Sequence, residues 1–158
     1  MYVDGVVRVP GDKSITHRAL LLGALAPGVS HVGGALTSLD AKSSARVLRA
    51  MGVEISSLAP GRVVTIRGRR RLQAPSHRLH CGNSGTTTRL LLGLLAGHRF
   101  RVELTGDASL RRRPMRRVTQ LLQAMGARFE ELGRGDGLPL AIRGGALRSA
   151  RLELPVSS

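Results

Sequence analysis

Apolar positions along the chain fall into short runs that change period. Leu20, Leu21 and Leu25 recur at helical spacing. They predict a helix running to about Ala26, capped by Ser14 or Thr16 and ended by Pro27-Gly28. Residues 29–33 predict a short strand. Ala45, Leu48 and Met51 repeat the helical spacing behind Ser38 or Asp40, either of which can cap a second helix. Gly52 closes that helix. Residues 53–55 and 63–67 predict a strand pair across the Pro60-Gly61 turn. Ahead of all this, residues 6–9 alternate weakly and read as a short strand.

A basic, proline-containing connector follows at residues 69–77, and then the pattern returns. Residues 78–81 predict a strand, 86–96 a helix and 101–105 an alternating strand. Pro114 is predicted at the first position of the next helix, where its missing N–H costs nothing. Val118, Leu121, Leu122 and Met125 face the core from that helix. Residues 127–132 and 138–143 read as a closing strand pair. Particular residues recur as well. Gly11 and Gly82, and Arg18 and Arg89, stand 71 apart; Ala50-Met51-Gly52 recurs after 74 residues, and Ile66-Arg67-Gly68 after 76. The fold class is therefore α/β, built of repeated βαβαββ units. One unit covers residues 11–77 and a second covers 78–150, with residues 1–10 as an N-terminal strand. Residues 151–158 echo residues 6–13 and read as the start of a third unit. A strand without its helix leaves apolar surface uncovered. The expectation is the front part of a longer protein, or one whose remainder comes from elsewhere.

Composition narrows the classes. Of 158 residues, 42% are hydrophobic and only 2% aromatic. That supports a globular chain with an aliphatic core and argues against disorder. The net charge is +15, and only Lys13 and Lys42 are lysines; the other 23 basic residues are arginines. Such a surplus suits anionic partners: nucleic acid, a membrane surface or phosphorylated metabolites. The single cysteine, Cys81, cannot form an internal disulfide and fits a reducing compartment. No Cys/His cluster has zinc spacing. The longest apolar runs, 19–26 and 90–96, are too short to span a bilayer, and the N-terminus lacks a long signal-peptide core.

The chemistry concentrates in residues 81–95, Cys-Gly-Asn-Ser-Gly-Thr-Thr-Thr-Arg-Leu-Leu-Leu-Gly-Leu-Leu, where a small-residue turn becomes an apolar helix. Asn83 or Ser84 can cap it. Gly85 carries no side chain, so an anion can approach its N–H closely. The first helical amides are unpaired and carry the positive end of the dipole. Arg89 follows one turn later on the same face. The stretch is a candidate receptor for phosphate or carboxylate. Lys13 and Arg18 flank the equivalent first helix. Arg111-Arg112-Arg113-Pro-Met-Arg116-Arg117 stands at the start of a later helix, where cations are unfavourable unless an anion joins them. A solvated face accounts for most of that cluster. Lys13-Ser14 is not a P-loop, because Val7 and Asp12 stand where glycines are needed. There is no nucleophile elbow. Cys81 reads as a buried structural thiol, and neither His17 nor His80 has an identifiable partner.

Three stretches together carry a resemblance: Pro10-Gly-Asp-Lys-Ser-Ile-Thr-His-Arg18, Gly82-Asn-Ser-Gly-Thr-Thr-Thr-Arg89, and Leu104-Thr-Gly-Asp-Ala-Ser-Leu-Arg-Arg-Arg-Pro-Met115. In that order they resemble the front of the 5-enolpyruvylshikimate-3-phosphate (EPSP) synthase family. The resemblance implies the enolpyruvyl transferase fold, an inside-out α/β barrel whose domains each hold three βαβαββ units. Two units and the start of a third would be present here, and residues 1–10 would belong to the other domain. It implies transfer of the enolpyruvyl group of phosphoenolpyruvate to the 5-hydroxyl of shikimate 3-phosphate, with release of phosphate. No cofactor or metal is implied, and the full-length protein is expected to be a cytoplasmic monomer without membrane contact.

Residue by residue, Lys13 matches a lysine touching both substrates. Ser14 and Arg18 match shikimate 3-phosphate ligands, and Ser158 matches a phosphate ligand of the next motif. Gly85 and Arg113 match phosphoenolpyruvate-binding positions, supported by Asn83, Thr86 and Arg89. His17 stands where the family has a small polar residue or His. No catalytic residue is expected within this chain. The family's proton-transfer groups lie in its later half, so the isolated chain is expected to turn over little or nothing. The sister transferase acting on UDP-N-acetylglucosamine typically has Lys-Asn in place of Lys13-Ser14. The alternative is an RNA 3′-phosphate cyclase-like or other basic nucleic-acid-binding repeat protein. It suits the charge, but it lacks the three motifs and the stacking aromatics of single-strand binders.

Overall fold

The structure, a computed structural model, describes residues 4–6, 9–133 and 135–151. Its first helix, α1 (Lys13–Leu25), opens on Asp12, whose carboxylate accepts from the Ile15 amide at 2.7 Å. Asp12 is therefore the cap, not Ser14 or Thr16. A carboxylate satisfies a free amide and also offsets the positive helix end. The Thr16 hydroxyl is occupied elsewhere, donating to the Asp12 carbonyl at 2.7 Å and accepting from the Leu36 amide at 2.9 Å. Strand β1 (Gly28–Val32) follows, then α2 (Leu39–Ala50), which Ser38 caps through the Ala41 amide. Strands β2 (Glu54–Ile55) and β3 (Val64–Gly68) flank a turn in which Gly61 takes φ +71°.

The second half runs β4 (Leu79–His80), α3 (Gly85–Ala96), β5 (Arg101–Thr105), a short α4 (Ala108–Arg111), α5 (Arg116–Ala124), β6 (Arg128–Glu131) and β7 (Leu140–Arg143). Strand order is β1-β3-β2 in one sheet and β4-β5-β7-β6 in the other. With β1, β2 and β3 set against β5, β6 and β7, the order is the same and both halves pair antiparallel. Among the described residues only β4 pairs parallel, to β5. Its counterpart in the first half is the strand expected at residues 6–9. Residues 7 and 8 lie outside the described residues, and Val6 and Val9 carry no regular structure and are exposed.

Backbone ties explain why particular residues recur. Gly68 and Gly144 end β3 and follow β7. A Cβ on Gly68 would run into the carbonyl oxygens of Gly23 and Ala26, and one on Gly144 into those of Leu95 and Ala96. The next residue in each half donates its amide to that helix end, Arg69 to Ala24 at 2.7 Å and Gly145 to Ala96 at 2.9 Å. Gly52 and Gly126, at φ +86° and +107°, close α2 and α5. The preceding Met51 and Met125 carbonyls accept from Gln73 and Arg148, both at 2.9 Å. Each repeated glycine thus lets a strand or turn pass against a helix terminus where a side chain does not fit.

One apolar core joins the halves. α1, α2 and α3 pack on one another, α1 lies on β3, and α3 lies on β7. Leu20, Leu48, Met51, Leu91, Leu92 and Leu95 are essentially inaccessible within it. Each such side chain contributes about 1.5–3 kcal/mol of burial. Two expectations change in the second half. Pro114 lies outside α5, whose N-cap is Met115, because α4 and its cap Asp107 take up the preceding residues. Val118, Leu121, Leu122 and Met125 are half-buried, not buried. The main neighbours of α5 are α3 and β6, which cover only part of its apolar face.

Candidate anion-binding site

Two helix tips carry the chemistry. Before α3, Gly82 takes φ +63°, a left-handed turn that favours glycine, and swings the chain from β4 into the helix. Ser84, not Asn83, is the cap: its Oγ accepts from the Thr87 amide at 3.1 Å. Asn83 is left free to reach sideways. Its Oδ1 accepts from Arg113 Nη2, and its Nδ2 donates to Asp107 Oδ2 at 2.8 Å. Asp107 also caps α4 through the Leu110 amide at 2.8 Å. That amide first, and the Asn83 amide after the opposing effect of desolvation, hold its carboxyl below the usual carboxylate range.

Asn83 thus stands between a carboxylate and a guanidinium. Arg113 is oriented by a neutral amide and keeps its charge for another partner. Arg89 is treated alike, donating Nη2 to the Pro114 carbonyl at 3.2 Å. Both guanidiniums overhang Gly85. A Cβ there would lie 2.9 Å from Arg89 Nη1 and 3.3 Å from Arg113 Nη1. The first amides of α3, its positive dipole end and two arginines therefore meet over one residue that has no side chain. Such an arrangement can receive an anion.

Lys13 at the tip of α1 pairs with Asp40 at 3.8 Å across half-exposed side chains. The Asp40 carbonyl accepts from Thr87 Oγ1 at 3.3 Å, two residues beyond Gly85. Lys13 is thereby joined to the α3 tip through a single residue of α2. Ser14 and Arg18 are exposed on α1, with Arg18 Nη1 donating to the Ser14 carbonyl at 3.2 Å. Thr86 is half-buried in the first turn of α3. Ser158 lies outside the described residues. Of the basic cluster, Arg113 alone turns to the Gly85 loop. Arg111 closes α4, where the helix dipole favours a cation, and Arg116 lies 3.9 Å from Asp136.

Both histidines of interest have partners after all. His80 Nδ1 accepts from the Gly82 amide at 3.1 Å, and His17 Nδ1 lies 2.8 Å from Ser44 Oγ. Burial above all lowers the His17 pKa; Asp40 opposes the shift, while Lys13 and Arg18 add to it. Cys81 is fully buried and its thiol is pushed up to about 11 by desolvation, as befits an inert structural group. Asp40 and Asp107 went unnoticed in the sequence as site residues. The available signal for Asp107 was its place before Ala-Ser-Leu, a cap position. A crevice of about 430 Å³ beside β2 and β3 is lined by Arg49, Glu54 and Arg67 and involves none of these groups. Among the described residues no helix is long and apolar enough to cross a membrane, and no three His, Cys, Asp or Glu could hold a metal ion.

The architecture is one already seen in solved enzymes. An EPSP synthase structure from Acinetobacter baumannii superposes with a TM-score of 0.91 at 43% identity, over 98% of this chain and 35% of that one. The family model for EPSP synthase (3-phosphoshikimate 1-carboxyvinyltransferase) matches residues 1–158, and the chain belongs to that family. A 3-phosphoshikimate 1-carboxyvinyltransferase of Synechococcus sp. is 56% identical over 161 residues, covering 99% of this chain and 36% of the relative. That of Thermus thermophilus is 54% identical over 156 residues, covering 98% and 36%. The chain therefore spans about 36% of the length of these relatives.

Proposed function

We propose that this chain supplies one wall of a site that transfers the enolpyruvyl group of phosphoenolpyruvate to the 5-hydroxyl of shikimate 3-phosphate. The observation that carries this reading is the pair of guanidiniums overhanging Gly85 at the tip of α3. Gly85 and Arg113 bind phosphoenolpyruvate, with Asn83, Thr86 and Arg89 shaping the loop. Ser14 and Arg18 bind shikimate 3-phosphate, and Lys13 lies between the two. Both substrates are multiply negative and repel each other. Fixed cations and helix amides offset that repulsion and bring the hydroxyl to the enol carbon. The residues divide into one unit at 11–77 and another at 78–150. A buried free thiol at Cys81 suits a reducing compartment such as the cytoplasm.

Calorimetric titration with shikimate 3-phosphate and then phosphoenolpyruvate tests the assignment. Binding of phosphoenolpyruvate is expected to fall at least roughly tenfold in Arg113→Ala, the loss of a charge-assisted pair. Loss of the acid–base groups expected in the remaining length of the relatives costs about 10²–10⁴-fold, so a phosphate-release assay on the chain alone is expected to read near background. Binding indifferent to Arg113, or preference for an oligonucleotide with a steep salt slope, refutes the reading.

A further inference from the structure

Beneath the helix tips runs a buried line of side-chain hydrogen bonds. His17 Nδ1 lies 2.8 Å from Ser44 Oγ, and Ser44 Oγ lies 2.8 Å from Thr87 Oγ1. Thr87 Oγ1 lies 2.7 Å from Ser84 Oγ and 3.3 Å from the Asp40 carbonyl. All four side chains belong to residues at most 1% exposed. The line crosses from α1 to α2 and from α2 to α3. The other ring nitrogen, His17 Nε2, is buried without a hydrogen-bond partner among the described residues.

Counting hydrogens sets the direction of the line. The Asp40 carbonyl can only accept, and Ser84 Oγ already accepts from the Thr87 amide. With the hydrogen on Nδ1, His17 donates to Ser44 and Ser44 to Thr87, which shares its one hydrogen between Ser84 and the Asp40 carbonyl. At the ring the deficit is then an unpaired lone pair at Nε2. With the hydrogen on Nε2 the whole line reverses. Thr87 then donates back to Ser44, the Asp40 carbonyl loses the Thr87 hydroxyl, and an N–H is buried with no acceptor among the described residues, the rarer defect. A ring protonated on both nitrogens adds a buried charge near Lys13 and Arg18, with only Asp40 opposing it.

We propose that His17 is a positioning residue, whose neutral Nδ1–H form holds the first turn of α3 in register with the tips of α1 and α2 through Ser44 and Thr87. This rests on the reading that Lys13 and Gly85 serve adjoining anions. Apolar contacts alone let helices slide. A relay of directional bonds between buried atoms fixes their offset, and a misplacement of about 1 Å at such a site costs about 10²-fold.

Three measurements test the assignment. A long-range proton–nitrogen correlation spectrum of the ring at pH 7 is expected to show Nδ1 protonated, Nε2 bare and the ring neutral. An Nε2–H ring, or a charged one, overturns the assignment. Amide hydrogen exchange needs no ligand. In Ser44→Ala and His17→Leu, the Thr87 and Thr88 amides are expected to exchange at least roughly tenfold faster, with Val102 and Ile142 unchanged. His17→Asn, which keeps a donor near the Nδ1 position, restores protection. Unchanged exchange at Thr87 in Ser44→Ala overturns the assignment, even if His17→Leu fails to fold. Finally, Thr87→Val is expected to bind shikimate 3-phosphate and phosphoenolpyruvate about tenfold more weakly, and Thr87→Ser within about twofold of the parent. Equal binding by the valine variant overturns it. If the parent chain binds neither metabolite, the substrate reading fails, and the spectrum and the exchange rates still decide the role of His17.

Discussion

Replacing Gly85 with alanine probes the centre of the site with one methyl group. Its carbon would stand 2.9 Å from Arg89 Nη1, 3.3 Å from Arg113 Nη1 and 3.8 Å from Arg113 Cδ. Comfortable contacts between such atoms begin near 3.5 Å. Arg89 therefore retreats by roughly half an ångström and Arg113 by a few tenths. Both atoms are tips of flexible side chains, so the fold absorbs the change. Gly85 has no positive φ, and alanine is favoured over glycine within helices by up to about 1 kcal/mol. The melting temperature is expected to stay level or rise by about 2–4 °C. Binding responds in the opposite sense. A charge-assisted hydrogen bond contributes about 1.5–3 kcal/mol. Partial loss of one, with the amide covered, corresponds to roughly a tenfold weaker affinity for phosphoenolpyruvate. Shikimate 3-phosphate, assigned to α1, is expected to change by less than about twofold. Thermal melting and separate titrations with each metabolite give the three numbers. An unchanged affinity for phosphoenolpyruvate, or an equal loss for both, refutes the placement of that anion over Gly85.

Other perturbations read the fold. Because burial depresses the native pKa of His17, the unfolded chain binds the extra proton first as pH falls through about 6.5. Stability is expected to be level above that pH and to decline below it, and urea denaturation of His17→Asn should flatten that part of the curve. Gly144→Ala drives a methyl group into the Leu95 and Ala96 carbonyls, so denaturant melts are expected to show a loss of about 1–3 kcal/mol. Gly93→Ala, in open space on α3, should be neutral or stabilising by up to about 1 kcal/mol. Cys81, inaccessible and with its thiol raised to about 11, should resist a thiol reagent at pH 8 until the chain is unfolded.

Much of this structure could be read from periodicity. Leu20, Leu21, Ala45, Leu48 and Met51 are all buried where their spacing places them. The alternation of residues 101–105 became β5, with Val102 and Leu104 inward and Arg101 and Glu103 in an outer ion-pair cluster. Gly52 marked its helix end correctly because the reason is local: a left-handed turn. The caps were less legible. Asp12, Ser14 and Thr16 can all accept from an amide, and competition for the Thr16 hydroxyl from Leu36, twenty residues away, decides the outcome. Helix α4 was hidden because Asp107 and its turn run straight into arginines that suggest a charged surface. The partners of His17 could not be read at all, since Ser44 and Thr87 come from other helices. For α5, periodicity reports that one face is apolar, but not how fully that face is covered.

The glycine crossings at Gly68 and Gly144 have a mechanical consequence. Each clamps a sheet to the trailing end of a long helix, α1 or α3, while the recognising end lies a full helix length away. Such a helix behaves as a cantilever, stiff at its root and compliant at its free tip. In the site proposed above, whatever braces the tips governs how sharply a ligand is read: the proposed cross-tie from His17 before the anion arrives, and the anion itself afterwards.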